Sequence, residues 1–333
     1  MAKPKQQRID PRNANLKNPK STSGKSGRPG GRPLPPGAKA KKASAADWIS
    51  GARLRTLPLS VAPVILGTGA AYLADNDQGW HWVRALLALA VAVFLQIGVN
   101  YANDYSDGIR GTDDYRVGPA RLTGSGAAKP RTVLIVALTF FGLAAVAGLV
   151  LVILTGYYWL LIVGAVSIVA AYFYTGGKRP YGYNALGEVF VFVFFGLVAT
   201  AGTMYVQVGT VNIEGWVGGV AIGLIACAVL MVNNIRDIGP DKLANKRTLA
   251  VLLGDRASRV VFTIFLLVPF VLVVLYAQIY ANAYYVLFAL LLAGPAVAIT
   301  LTAKTPPELI LALKLTSFTA LVYAIGLGAA IAF

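Results

Sequence analysis

The sequence is poor in the residues on which most soluble metal and nucleophile sites are built. It has one cysteine, Cys227, and one histidine, His81. A single cysteine inside an apolar run excludes an intramolecular disulfide and a thiolate metal cluster. His81 stands between Trp80 and Trp82 in a short loop and reads as part of an interfacial aromatic belt. It leaves no second histidine for a metal site and no internal partners for a Ser-His-Asp triad. Charge is scarce too, at 13% of residues against 56% hydrophobic. Acid is scarcer still, with 14 Asp and Glu against 30 Lys and Arg. Short segments of alternating polarity are missing, which excludes an outer-membrane barrel.

What the chain does have is long apolar blocks. A hydrocarbon core about 30 Å thick takes roughly 20 apolar residues per helix, and in lipid the backbone must satisfy itself within the segment. The blocks predict an all-α integral membrane protein with about nine spanning helices, near 57–74, 84–103, 131–154, 157–174, 186–208, 215–233, 258–279, 283–302 and 309–332. The net charge of +16 does not point to nucleic acid. Fourteen of the 30 basic residues precede residue 57, and most others lie in alternate loops. That asymmetry predicts a multi-pass protein of the cell membrane, with the amino-terminal tail and basic loops cytoplasmic and the carboxyl terminus outside. Residues 1–45 are rich in Lys, Arg, Gly, Pro and Ser. They read as a disordered basic tail on anionic lipid, ahead of a transmembrane domain over 46–333. The tail has no apolar core of a secretory signal. Its Gly24-Lys25-Ser26 is not a P-loop, because Pro19 stands where the leading glycine belongs. No protein partner is indicated; membrane lipid is.

Acidic residues gather where two apolar runs end. Residues 100–114, NYANDYSDGIRGTDD, hold Asp104, Asp107, Asp113 and Asp114. Residues 233–248, NNIRDIGPDKLANKRT, hold Asp237 and Asp241. On a helix, positions three and four apart share a face, so Asn100, Asp104 and Asp107 form one stripe and Asn233, Asp237 and Asp241 another. The echo between the two stretches suggests two related helix-plus-loop units facing each other. Carboxylates about 4 Å apart repel by roughly 4 kcal/mol at an effective dielectric near 20. Hard oxygen ligands without His or Cys favour Mg²⁺, which shares phosphate oxygens. Two such stripes across a cavity could hold Mg²⁺ and a diphosphate between them. Arg110, Arg121, Lys129 and Arg131 follow the first stripe, and Arg236, Lys246 and Arg247 flank the second. Such charged donors stabilise a leaving diphosphate.

NDYSDGIRGTDD and RDIGPDKLANKRTLAVLLG resemble the two Asp-rich motifs of the UbiA-type membrane prenyltransferases. GARLRTLPLSVAPVILG and YTGGKRPYGYNALGEVFVFVFFG resemble that family as well, and the likeness runs over residues 50–333. The superfamily's third Asp is Gly111 here, with Asp113 following, as in the branch that prenylates 1,4-dihydroxy-2-naphthoate for menaquinone biosynthesis. The resemblance implies a helical bundle around a central cavity open to the cytoplasmic side. It implies an Mg²⁺-dependent transfer of a polyprenyl group from polyprenyl diphosphate to the naphthoate, with loss of carbon dioxide. Asp104, Asp107, Asp237 and Asp241 would bind Mg²⁺. Lys178, with Asn103, Arg110, Arg236, Lys246, Arg247 and Lys129, would serve the diphosphate, and Asn233 would support the metal shell or the diphosphate. Asn100, Asn233 and Tyr174 would face the acceptor.

Alternatives are the same chemistry on another aromatic acceptor, such as 4-hydroxybenzoate, or an ion-coupled transporter whose carboxylates carry protons. Glu188, in the first turn of a helix, is either a helix-dipole charge or part of the cavity wall. Lys314 reads as a snorkelling residue. Prenyl length, oligomeric state and any general base are not specified by these residues.

Overall fold

The computed structural model describes residues 42–74, 81–113, 119 and 121–333. The expected basic tail through residue 41, with Trp80 and Asp114, lies outside the described residues. The first helix among the described residues is α1 (Ala45–Gly51), capped by Ser44 and Asp47 in a reciprocal box. A single 3-10 turn, Leu54–Thr56, leads into α2 (Pro58–Ala74). The two helices meet at a 45° bend, where Arg53 adopts the left-handed φ of 55°. Then follow α3 (Trp82–Ile109), α4 (Pro130–Thr155), α5 (Leu160–Phe173), α6 (Gly187–Val208), α7 (Ile213–Leu243), the short α8 (Leu249–Leu253), α9 (Asp255–Tyr276), α10 (Ala281–Thr302) and α11 (Pro306–Ala332). Among the described residues there is no β-strand, only one isolated bridge between Asn184 and Arg247.

Seven of these helices are long and apolar enough to cross a membrane, and the bent α1–α2 pair makes an eighth. The chain is a multi-pass membrane protein. The fourth of the nine spans expected, at 157–174, contains α5, which has 14 residues. At 1.5 Å per residue that is about 21 Å, well short of the hydrocarbon thickness. Two helices run further than hydropathy predicts. α3 continues to Ile109 and α7 to Leu243, so Asp104, Asp107, Asp237 and Asp241 are all helical. An apolar window stops where polar residues begin, but backbone hydrogen bonding carries on. Pro240 sits within the last turns of α7.

α7 is the central pillar. Its Ile222, Ile225, Met231 and Val232 are fully buried with Leu66 of α2, Phe262 and Leu266 of α9, and Tyr323 and Leu327 of α11. A smaller core joins α3 and α4 through Tyr101, Val133, Ala137 and Phe141. Between the two lies α6, whose middle, Phe192–Val198, is π-helical. Such segments accommodate an extra residue without ending the helix. Here Gly196 lies against α7 so closely that a Cβ on it would be 2.6 Å from the Cα of Gly223. Small residues at a crossing let backbones approach where no hydrophobic force drives helices together.

Gly196→Ala is therefore expected to push α6 from α7 and cost about 1–3 kcal/mol, read as a lowered Tm of the detergent-purified protein. Gly142→Ala, where an added Cβ meets nothing within 4 Å, should leave Tm unchanged or slightly raised. Equal Tm values for the two variants would contradict the close crossing.

Candidate functional site

A cavity of about 570 Å³ opens between the two cores. One end is polar, formed by the last turns of α3 and α7 and by the Arg53–Arg55 bend. The rest is apolar, walled by residues such as Val91, Leu95, Gly148, Leu161, Phe190 and Phe194 from α3, α4, α5 and α6. The site is thus amphipathic along its length, with charge confined to one end.

Asp107 organises the polar end. It is 2% exposed. Arg121 donates to its Oδ2 at 2.5 Å, Lys246 Nζ stands 3.3 Å from its Oδ1, and the Tyr183 hydroxyl donates to the same oxygen. Lys246 Nζ is also 3.8 Å from Asp241 Oδ1. One ammonium therefore joins the first acidic motif to the second, 139 residues along the chain. Arg121 further donates to the Asn103 carbonyl at 2.7 Å and lies 3.4 Å from Asp113. Burial alone would lower the pKa of Arg121, but Asp107, Asp113 and Asp104 raise it, so it stays cationic. Burial, then Asp107, raises the pKa of the Tyr183 phenol and keeps it a donor.

Asp237, on α7, is gripped by the neighbouring Arg236 at 2.8 and 2.5 Å. Arg236 Nη1 and Arg55 Nε are buried with no hydrogen-bond partner. Buried guanidinium donors without acceptors are costly, and the two residues are within electrostatic reach of each other. That is the signature of a place awaiting an anion. The carboxylates Asp107, Asp113, Asp237 and Asp241 and the amides Asn103 and Asn233 all line the cavity. They offer only hard oxygen donors, which suits Mg²⁺. No group of three His, Cys, Asp or Glu converges as a closed metal cage among the described residues. A cation here would complete its shell with oxygens brought by a ligand.

The remaining expected residues divide. Asn103 accepts from Thr175 at 2.7 Å through its Oδ1. Asn233 and Tyr174 reach the cavity. Asn100 lines it too but donates its amide to the Ala52 carbonyl at 2.9 Å, tying α3 to the end of α1. Asp104, expected to ligate metal, is placed differently from Asp107. It is not among the lining residues; its two oxygens accept the backbone N–H groups of Leu122 and Thr123, each at 2.8 Å. Arg110 spends its guanidinium on the carbonyls of Thr175 and Gly177. Lys129, Lys178 and Arg247 are exposed and do not line the cavity. The backbone N–H of Arg247 donates to the Tyr183 carbonyl at 2.9 Å, so its link to the site is through the main chain. Glu188 is buried and bonded to Asn234, and Lys314 is exposed.

Sequence reasoning missed Tyr183 and Arg55 and named Arg121 only in passing. Tyr183 lies with Lys246 over one ring face at 4.6 Å and Arg110 at 5.3 Å. An aromatic residue in a polar loop between two spans was the available signal. For Arg55 it was a cation set at a helix break beside Pro58.

A model of the UbiA prenyltransferase family matches residues 60–319. A relative from Mycobacterium tuberculosis, 1,4-dihydroxy-2-naphthoate octaprenyltransferase, is 50% identical over 305 residues, 87% of this chain and 98% of the relative. The protein of that name from Escherichia coli is 40% identical over 221 residues, 64% of this chain and 70% of its own. Among solved structures, the apo structure of a UbiA homolog from Aeropyrum pernix K1 superposes with a TM-score of 0.62. It is 17% identical and covers 82% of this chain and 96% of that one, a likeness of fold.

The Asp104 geometry makes a prediction. Asp104→Asn places an amide donor against one of two backbone donors, and a buried group left unsatisfied costs about 1–3 kcal/mol. Hydrogen exchange at the Leu122 and Thr123 amides should quicken at least tenfold, and should not in Asp241→Asn. Unchanged exchange in Asp104→Asn would remove its anchoring role.

Proposed function

The chain belongs to the UbiA prenyltransferase family, and from that footing we propose that it transfers a polyprenyl group from polyprenyl diphosphate to 1,4-dihydroxy-2-naphthoate. Diphosphate and carbon dioxide leave and the prenylated 1,4-naphthalenediol forms, the quinol that two-electron oxidation elsewhere would turn into demethylmenaquinone, at the cytoplasmic side of the cell membrane. The observation that carries this reading is Lys246, within 4 Å of both Asp107 and Asp241 at the charged end of an otherwise apolar cavity. A prenyl diphosphate has the same polarity: a charged head and an apolar tail.

The residues divide the work. Arg55, Arg121 and Lys246, which line the charged end of the cavity, would receive the diphosphate head, Arg55 with a buried and unmatched Nε; Arg236, which does not line the cavity, holds Asp237. Mg²⁺, held through Asp107, Asp237 and Asp241 and sharing phosphate oxygens, would supply Lewis-acid charge to the leaving group. Donors preorganised where negative charge builds up weaken the C–O bond of the allylic diphosphate. Tyr183 and Lys246 hold Asp107 in place. The apolar walls exclude the water that would trap the allylic cation as an alcohol. The electron-rich ring of the acceptor attacks that cation, and the carboxylate of the acceptor departs as carbon dioxide. Charge confined to one end of the cavity does not favour an ion pathway across the membrane, and nothing in the site favours 4-hydroxybenzoate.

Purified protein with Mg²⁺, a polyprenyl diphosphate and the naphthoate should release one carbon dioxide per prenylated product, identified by mass. 4-Hydroxybenzoate should give none. Chelation should stop turnover and added Mg²⁺ restore it. Asp107→Asn should lower kcat by about 10²-fold or more. A folded wild-type protein that makes no prenylated naphthoate would overturn the reading.

A further inference from the structure

Glu188 and Asn234 have no part in the chemistry above. Glu188, in the first turn of α6, is 5% exposed. Its Oε1 accepts from Asn234 Nδ2 at 3.0 Å. Asn234 lies on α7 three residues before Asp237, on the same face and about 4.5 Å further into the apolar part of the cavity. It lines that cavity. One N–H of its amide is committed to Glu188, which leaves the second N–H and the carbonyl oxygen, Oδ1. That oxygen accepts no hydrogen bond among the described residues. Tyr174 borders the same place: its hydroxyl is 3.6 Å from where a Cβ on Gly187 would stand, next to Glu188. Asn100, one of the residues expected to meet the acceptor, has its amide tied to Ala52.

A carboxylate donates nothing when ionised. By accepting from the amide nitrogen it fixes which way the amide points, and it polarises the carbonyl on the other side. The result is a carbonyl acceptor, Oδ1, held at the wall of a mostly apolar space about one turn from the charged end. It matches an O–H donor and repels a carbonyl. On the proposed acceptor, the 1-hydroxyl bonds internally to the adjacent 2-carboxylate, so the 4-hydroxyl is the donor available to the protein.

We propose that Asn234 Oδ1 receives the 4-hydroxyl of the aromatic acceptor, and that Glu188 is the positioning residue that turns the amide toward it. This rests on the function proposed above. The pair selects the reduced, hydroxyl-bearing acceptor, since a quinone carbonyl in that place would face another acceptor oxygen across a dry gap. Sites built to bond a hydroxyl reject analogues lacking it strongly, because the buried polar group is then unmatched.

The test is steady-state kinetics on the detergent-purified protein with 1,4-dihydroxy-2-naphthoate, and inhibition by 1-hydroxy-2-naphthoate, which lacks the 4-hydroxyl. Wild-type protein should bind the inhibitor at least tenfold more weakly than the substrate. Asn234→Leu and Glu188→Leu should raise KM for the naphthoate about tenfold or more and leave KM for the prenyl diphosphate within twofold. They should also erase the preference over the inhibitor. Glu188→Gln keeps an oxygen able to accept from Asn234 Nδ2 and should restore most of the lost affinity. Equal binding of the two naphthoates to wild-type protein overturns the proposal even if the leucine variants fail to fold. A rise confined to the KM of the prenyl diphosphate, or a fall in kcat with both KM values unchanged, overturns it as well. Wild-type protein that prenylates no naphthoate at all would instead strike the proposed function itself.

Discussion

Burying charge at a membrane edge is the constraint on which the site depends. A carboxylate taken out of water persists as an anion when a cation or strong donor faces it closely. Asp107 has three such partners, Arg121, Lys246 and Tyr183, and Asp237 has Arg236. Lys246 is the joint, since it faces carboxylates from both motifs. Removing it would leave Asp107 and Asp241 facing each other with less compensation. The cations are also what a diphosphate needs, so on the function proposed above the groups that make the buried carboxylates tolerable would also bind the ligand. Arg55, with a donor to spare, tips the balance toward an anion.

Much of this was legible in the chain. The apolar blocks announced the spans, and the two acidic motifs announced the site, because Asp is expensive beside lipid and its clustering needs a reason. The pairing of the motifs was legible as well, through the echo of Asn and Asp at helical spacing. What spacing could not supply was the rotation of each stripe about its helix. Asn100, Asp104 and Asp107 share one side of α3, yet Asp107 reaches the cavity while Asp104 turns to the loop at Leu122 and Thr123. Which edge of a shared face meets which neighbour is decided by packing, here of α3 on α4.

The same limit explains the basic residues. Arg110, Lys129, Lys178 and Arg247 were as plausible from sequence as Arg121 and Lys246. Position in a loop says nothing about whether a long side chain folds inward. Arg121 turns inward because Asp104 holds the two residues that follow it. Lys246 does so because the next residue is pinned by its N–H to the Tyr183 carbonyl. Main-chain anchors one residue away do the aiming, and they leave no trace in composition.

The brevity of α5 has a consequence for the surroundings of the protein. A helix of 14 residues forms part of the cavity wall, and about 21 Å of it cannot match a bilayer of about 30 Å. Hydrophobic mismatch of this kind is relieved by local thinning of the lipid or by interfacial side chains filling the shortfall. Tyr157, Tyr158 and Trp159 precede the helix, rings suited to headgroup depth. Acyl-chain length in the host membrane thereby becomes a mechanical load on one wall of the reaction chamber.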